Sequence, residues 1–489
     1  DGTYDFLGGQ EAIAKMTAAE GTRIALFADE AMFPEMVNPV QMAFDGQGRL
    51  WVAVWPTYPH WTPGTPMNDA LLILEDTDGD GKADKRTVFA GDLHNPTGFE
   101  FWDGGVYVAQ APDLMFLADT DGDDVADVRR RVLHGLSSAD THHTANSLTF
   151  GPDGALYFQE GVFHRTSVET VRGPVRNRDA AVWRFEPRTW RVERFMPYGF
   201  ANPHGHVVDD WGQHFVTDGT SNTNYYALPA TGHVPQPGRQ PGFFPFFKQR
   251  SRPAAATEFL STGAFGPAFQ GDYLIANVIG FQGIHRYAVA DDGSGFTATE
   301  QAPLVSSSDQ RFRPVDIEVG PDGAVYFLDW HNPLIGHMQH HLRDPNRDGS
   351  HGRVYRITAR GAAHTAEPSL EDQSTPDLVR LLASPDSRVR SRVRSVLSAR
   401  PTTYVVSAAR TWVMDLNPSD AGDAHHLLEA LWLQQQHDVL DRDLLLWLLD
   451  SPDARARAAA VGVVRRMRQH VPEALSLLAA AAIDADPRV

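Results

Sequence analysis

Between residues 44 and 330 the chain repeats one pattern: an apolar strand, a tight polar turn with glycine, and an apolar-aromatic strand. The copies read FDGQGRLWVAV (44–54), FEFWDGGVYVAQ (99–110), LTFGPDGALYFQE (148–160), VVDDWGQHFVTDG (207–219), GAFGPAFQGDYLIAN (263–277) and IEVGPDGAVYFLDW (317–330). In the third copy Leu148, Phe150, Leu156 and Phe158 alternate with other residues, as strands with one buried face do. Its turn is built from Pro152, which fixes φ, Asp153, which bonds its own backbone, and Gly154, which accepts positive φ. Taking Gly48, Gly105, Gly154, Gly212, Gly271 and Gly323 as anchors, the spacings are 57, 49, 58, 59 and 52 residues. Periods near this length in an all-β segment predict propeller blades, each a small sheet that must stack on its neighbours. Six anchors predict six blades. A strand at 23–27 is placed to close the ring on the last blade and remove the free edge. Trp51, Trp102, Trp183, Trp211 and Trp330 fall in or beside these strands, where core packing between blades is their expected use. Ahead of the repeats, residues 5–19 read as a short amphipathic helix with Ile13 and Met16 on one side.

After VYRIT (354–358) the period changes. Residues 361–376 are polar and contain proline, the composition of a linker. Beyond them LVRLLASPDSRVRSRVRSVLSAR (378–400) and LLLWLLDSPDARARAAAVGVVRRMR (444–468) carry Leu, Ala and Arg at helical spacing, and a third unit begins at Leu475. Pro385, Pro452 and Pro487 are 67 and 35 residues apart, near two units and one. This predicts a HEAT-like α-helical solenoid in which Pro-Asp turns start the second helix of each pair. The division is then a mainly β six-bladed propeller at 1–360, a linker at 361–376 and helical repeats at 377–489. The third unit breaks off at Val489, so the natural protein is expected to continue.

Composition narrows the function. The 489 residues include 43 Lys and Arg against 62 Asp and Glu, a net charge of −19. That lacks the basic footprint of a nucleic-acid binder. With no cysteine, disulfides, thiolate metal sites, Fe–S clusters and covalent haem are excluded. No apolar run reaches the roughly 18 to 20 residues of a membrane span. Numbering from a bare Asp1 suits an exported, periplasmic or otherwise extracytoplasmic protein whose signal has been removed.

Two segments, DTDGDGKAD (76–84) and DTDGDDVAD (119–127), set carboxylates at positions 1, 3, 5 and 9 of a glycine-punctuated loop. Asp76, Asp78, Asp80 and Asp84, and Asp119, Asp121, Asp123 and Asp127, are thus candidate Ca²⁺ ligands. Thr87 and Arg130 stand where an EF-hand has its Glu, so these are short Asp loops within hairpins. DPNRDGS (344–350) is a third candidate with Asp344, Asn346 and Asp348. The 21 histidines cluster as His142 and His143, as His204 and His206, and as His337, His340 and His341, with His331 and His351 nearby. Loops at the blade ends converge on a propeller's central channel. Such clusters serve either as a general base toward a hydroxyl or as a transition-metal site. Neither motif has a known metal spacing such as HExxH.

DLHNPTGFEF, GVYVAQAPDLMFLADTDGD, DTHHT, GPDGALYFQEGVFH, YGFANPHGHV, IGFQGIHR and FRPVDIEVGPDGAVYFLDWHNPLIGHMQHHLRDPNRDGSHGRVYRIT together resemble the PVC-type (planctomycete-style) membrane-bound dehydrogenase family, over roughly residues 20–360. HEAT-like repeats after the propeller are usual in that family, as is a C-terminal cytochrome c module. The CxxCH of that module does not occur in this sequence. The family is distantly similar to soluble quinoprotein glucose and aldose-sugar dehydrogenases, six-bladed propellers that hold PQQ at the channel mouth. Their base is a His seven residues before the Phe of an F-x-PDG-x-x-Y strand pair, which the resemblance places at His143, with His142 its neighbour. Of their Arg-Asn-Pro-x-Gly segment, Asn202 matches and Ala201 replaces the Arg. Their later Arg-x-Arg is met by Arg311 and Arg313, two residues further from the turn. The resemblance implies an oxidoreductase that oxidises a sugar or other alcohol, with PQQ as cofactor and Ca²⁺ as structural ion. Asn202, His204, His206, Arg311 and Arg313 then position cofactor or substrate, with His204, Arg313 or Lys248 standing in for the missing Arg. Electrons leave to a separate cytochrome or other acceptor. Two other readings stay open: a carbohydrate lyase or hydrolase with a metal on His143 and His206, and a binding or assembly subunit using the propeller and the HEAT-like surface.

Overall fold

Each repeated hairpin forms the inner part of one sheet. The computed structural model describes residues 6–199, 201–228, 231, 234, 245–252, 254–336, 340–362 and 368–489. Five four-stranded sheets and one of five strands succeed one another along the chain. Their inner strands are Pro39–Phe44, Gly98–Trp102, Asn146–Phe150, Pro203–Val208, Ala254–Phe259 and Pro314–Val319. Each inner strand packs on the next and the sixth packs on the first, which makes a six-bladed propeller around a central channel. The early strand, Thr22–Asp29, pairs antiparallel with Arg353–Ala359 of the sixth blade, Arg23 opposite Thr358 and Ile24 opposite Ile357. The ring is therefore locked by strand pairing between the two ends of the propeller segment.

Three local expectations change. Residues expected in a helix at 5–19 form only a helical turn at Gly9–Ala12, a 3₁₀ turn at Ile13–Lys15 and a strand, Met16–Ala18; Asp5 lies outside the described residues. Met16–Ala18 adds a fifth strand to the fifth blade, Met16 opposite Ser307, so an available sheet edge outweighs weak helical periodicity. In the fifth repeat the first strand is Ala254–Phe259 rather than 263–267; Gly263–Phe265 is a 3₁₀ turn instead, capped by the Thr262 side chain. In the second repeat Gly104, with φ of 74°, holds the left-handed turn position. Gly105 is required for another reason: a Cβ there would lie 2.5 Å from the Leu117 carbonyl oxygen.

The blades are glued by aromatic contacts. Trp102 stacks on Phe150 with centroids 4.3 Å apart, and Trp51 meets Phe89 and Phe101 at 4.4 and 5.1 Å. Trp183 is fully buried. Trp211 and Trp330 depart from the expected role. The Arg455 guanidinium lies 4.2 Å over Trp211, which packs against the helical unit, and Trp330 lines the channel.

The last propeller strand ends at Ala359 and helices resume at Thr375–Leu381. Of the expected linker, residues 363–367 lie outside the described residues. Helices Ser387–Ser398, Thr402–Val413, Ala424–Gln436, Arg442–Leu449, Ala454–Arg466 and Ala474–Ala481 follow. Asp386 and Asp453, the Asp of each Pro-Asp turn, cap Ser387–Ser398 and Ala454–Arg466 by accepting from the backbone N–H groups of Arg388 and Arg455. This is the boundary signal that Asp supplies at an N-cap. Leu378, Val405, Leu431, Leu445 and Val463 share one core.

That unit sits on the propeller face that carries the glycine turns. Gln436 donates to the Pro152 carbonyl at 2.9 Å, the Asp103 amide to Ser398 Oγ at 2.7 Å, and Ser395 Oγ to the Phe101 carbonyl at 3.0 Å. Arg466 lies 3.3 Å from Asp153, which is held by the buried Arg184 at 2.8 Å.

Candidate functional site

The six inner strands enclose a cavity of about 580 Å³ that follows the channel. One end lies where the inner strands begin, on the face opposite the helical unit. His142, His143, Asn202, His204, Arg252, Trp330, Tyr58 and His340 line that mouth. Gln41, Ser147, Thr149, His206 and Thr257 line the middle, and Glu100, Asp316, Glu318 and Arg388 form the floor.

His143 is buried, and its Nδ1 lies 3.1 Å from an Asp140 oxygen. The contact is close but lacks the alignment of a linear hydrogen bond. The same Asp140 oxygen accepts the backbone N–H groups of His142, at 2.8 Å, and His143, at 3.2 Å. One carboxylate thereby fixes the turn that carries both histidines. The Gly161 amide donates to the His143 carbonyl at 2.8 Å. A side chain at Gly161 would meet His143 Cβ at 3.0 Å, so glycine lets the second strand of the blade pass directly behind the histidine. His142 Nε2 is 2.7 Å from the Tyr58 hydroxyl, whose ring packs against Trp330 and Trp55 at 4.7 and 5.0 Å. Burial pushes the Tyr58 hydroxyl well above the usual phenol range. It stays protonated and can donate.

His204 is pushed down to about 4, by burial and then by the neighbouring His143. Burial takes His206 to about 3. Both are therefore neutral at pH 7. His206 Nε2 pairs with His214 Nδ1 at 3.0 Å, and His214 is held far below the usual range by burial. The Asn202 amide and the Ala201 amide donate to the two oxygens of Asp218, at 2.9 and 3.0 Å. Asp218 also accepts from the Thr220 amide, at 3.2 Å, and Arg252 Nη1 donates to the Thr220 carbonyl at 3.3 Å. Arg252, from the fifth blade's leading loop, therefore reaches the segment where Ala201 stands in the expected place of an Arg.

The structure gathers His142, His143, Asn202, His204 and His206 on one cavity and leaves Arg311 and Arg313 off it. Arg313 donates to the Val278 carbonyl at 3.0 Å, and Arg311 pairs with Asp348 at 3.3 Å. Arg313 thus ties the start of the sixth blade to a loop of the fifth, and Arg311 holds a loop within the sixth blade; neither side chain is on the cavity wall, where the cofactor was expected. Lys248 lies in the outer strand of the fourth blade and is not on the cavity wall. Asp140, Tyr58, Arg252 and the charged floor had no place in the sequence reading.

The Asp loops join the third and fourth strands of the first and second blades. Carboxylate oxygens of Asp76, Asp78 and Asp84, and of Asp119, Asp121 and Asp123, lie within 4.8 Å of one another. Asp80 and Asp127 stand outside these trios. Asp80 accepts the Lys82 amide at 2.8 Å, and Asp127 the Thr120 hydroxyl at 2.5 Å. The Asp121 carboxyl is raised by repulsion from Asp123. Each loop docks on a neighbouring blade: the Ala83 amide donates to the Phe27 carbonyl and the Ala126 amide to the Phe89 carbonyl, both at 2.8 Å. In the third candidate Asp348 is already paired, 2.5 Å from His351 Nδ1 and 3.3 Å from Arg311. Among the described residues, the clusters with three convergent ligand atoms are the two Asp loops, not the cavity histidines. His337 lies outside the described residues.

The model of a family described as Domain of unknown function (DUF7133) matches residues 9–361, the extent of the propeller. No curated protein matches the sequence. Among solved structures, the chain is similar to an oxidoreductase titled glucose dehydrogenase from Thermus thermophilus, at 17% identity and a TM-score of 0.45 over 69% of this chain and 100% of that one. The soluble aldose sugar dehydrogenase of Escherichia coli, in the apo form, matches at 14% identity and 0.45 over 69% and 100%. The PQQ domain of pyranose dehydrogenase from Coprinopsis cinerea matches at 13% identity and 0.46 over 70% and 97%.

Proposed function

The chain belongs to the family of the Domain of unknown function (DUF7133), and we propose that its propeller is an extracytoplasmic oxidoreductase that oxidises a hydroxyl of a sugar or other alcohol, with His143 as general base. The observation that carries this reading is the placement of His143 on the wall of a large cavity with Asp140 beside its Nδ1. A carboxylate there favours the tautomer protonated at Nδ1, leaving Nε2 as the basic nitrogen, and stabilises the imidazolium formed when the hydroxyl proton is taken. His142, fixed by Tyr58, and neutral His204 supply neighbouring hydrogen-bonding groups that orient the ligand.

The residues at the mouth fit an anionic planar quinone such as PQQ. Arg252 offers a guanidinium beside Asn202, and Trp330, Tyr58 and Trp55 offer aromatic surface. The floor, with four carboxylates around Arg388, does not fit a tricarboxylate. Arg252, Asn202 and the aromatic wall would hold such a quinone, which would supply a hydride acceptor for the substrate carbon. Electrons then pass to a separate cytochrome or other acceptor. Asp76, Asp78 and Asp84, and Asp119, Asp121 and Asp123, would hold Ca²⁺, which would offset the repulsion within each trio and stiffen the loops that dock on the neighbouring blades. The helical unit is read as HEAT-like, with exposed Tyr404, Met414, Leu475 and Ile483 as surface for a protein partner.

The test is the full chain supplied with PQQ and Ca²⁺, an artificial electron acceptor, and a panel of sugars and alcohols. The proposal expects a bound-quinone absorbance and turnover on members of the panel. Absence of both the spectrum and the turnover would overturn it.

A further inference from the structure

Below the main cavity, a second, smaller one lies between the propeller and helix Ser387–Ser398, walled by Phe101, Trp102, Ser391, Arg392, Arg394 and Ser395. The two cavities share four wall residues: Glu100, Thr149, Glu318 and Arg388. Arg388 comes from the first turn of that helix and reaches into the channel. There it pairs with Glu258 of the fifth blade and, at 3.1 Å, with Glu318 of the sixth. Glu100 of the second blade and Asp316 of the sixth complete the ring around it. On its own helix Arg388 faces the cap Asp386, which is held by Ser261 Oγ at 2.7 Å. Arg392 and Arg394, one turn on, are engaged with the Val319 carbonyl and with Glu429.

We propose that Arg388 and its carboxylate ring are a charge gate between the central channel and the basal cavity, closed while the surplus carboxyls hold protons and opening as they ionise. Charge counting drives it. Glu100, Glu258, Asp316 and Glu318 face a single guanidinium. One or two carboxylates are balanced by Arg388, and full ionisation leaves the rest repelling each other in a dry site. Burial agrees with this, taking Glu100 up to about 7 and Asp316 up to about 8 and raising Glu258 and Glu318 as well. A carboxyl that binds its proton more tightly in the closed state favours closure at low pH. That preference is lost as pH rises from the ordinary carboxylate range through about 7 and about 8. The helical unit supplies the guanidinium of the gate and the propeller supplies its four carboxyls. The gate does not depend on which ligand the cavity takes.

The absence of native cysteine provides the probe. Ser391→Cys, on the basal cavity wall, and Ser476→Cys, on an exposed helix surface, are made separately in the full chain. Each is labelled with a small methanethiosulfonate, and each rate is divided by the thiolate fraction at that pH, taken from the thiol's own titration followed by absorbance, before the ratio is formed. From about pH 5.5 to about pH 8 the ratio is expected to rise at least roughly tenfold. It should stay flat in a Glu100→Gln, Asp316→Asn background. Ser395→Cys repeats the measurement from the same cavity if Ser391→Cys does not fold. A ratio independent of pH in the parent chain, or a rise that persists undiminished in the neutralised background, would overturn the gate.

Discussion

Asp140 does two jobs with one oxygen, anchoring the turn and facing the imidazole of His143. Removing the histidine and removing the carboxylate should therefore differ. His143→Ala is expected to lower turnover by about 100- to 10,000-fold. Asp140→Asn should cost less and also loosen the mouth, seen as faster exchange of the His142 and His143 amides. Equal losses, with amide exchange unchanged, would assign Asp140 to something other than this pairing. At Arg252, replacement by Ala should weaken binding of an added anionic quinone by roughly tenfold to a hundredfold, read by fluorescence titration rather than turnover. The place of His143 on the cavity wall was legible because it lies seven residues before Phe150, in the turn that leads into the inner strand Asn146–Phe150. Arg252 was not: it meets Asn202 through Thr220 and Asp218, across a blade boundary that no local pattern records. Arg311 and Arg313 show the converse: in a motif two residues out of step, Arg313 turns to the Val278 carbonyl and Arg311 to the Asp348 carboxylate.

Among the elements, the hairpins were readable because a tight turn, a period of two and a recurring length all agree. The strand Met16–Ala18 was not, since its conformation is set by a partner almost three hundred residues later. The closing strand Thr22–Asp29 is the element on which the ring depends. Leu26→Pro within it replaces a buried core side chain with a ring of fixed φ and no amide hydrogen, and should lower the melting temperature. The Asp loops are the other element with a direct test. Millimolar Ca²⁺ should raise the melting temperature of the parent chain, and Asp78→Asn with Asp121→Asn should abolish the rise. A chain that melts identically in Ca²⁺ and in chelator would leave the loops as solvated turns.

At the scale of the whole molecule, the glycine turns are where propeller and helical unit meet. The sequence marks both units clearly, by period and by composition, and says nothing of how they dock. The docking is made from single contacts such as Gln436 on Pro152, Arg466 on Asp153 and Arg388 in the channel floor. Asp153→Asn would leave the fully buried Arg184 short of its main counter-charge. It should destabilise the chain by about 3 to 5 kcal/mol, measured by chemical denaturation. Because the helical unit floors the channel, the function assigned to the propeller belongs to the two units together. The most direct test is a structure of the full chain soaked with PQQ and a sugar that it turns over. The account predicts a substrate hydroxyl within about 2.6 to 3.2 Å of His143 Nε2, with the quinone at the mouth beside Arg252. A metal ion bound by His143 and His206, or a ligand seated away from His143, would contradict it.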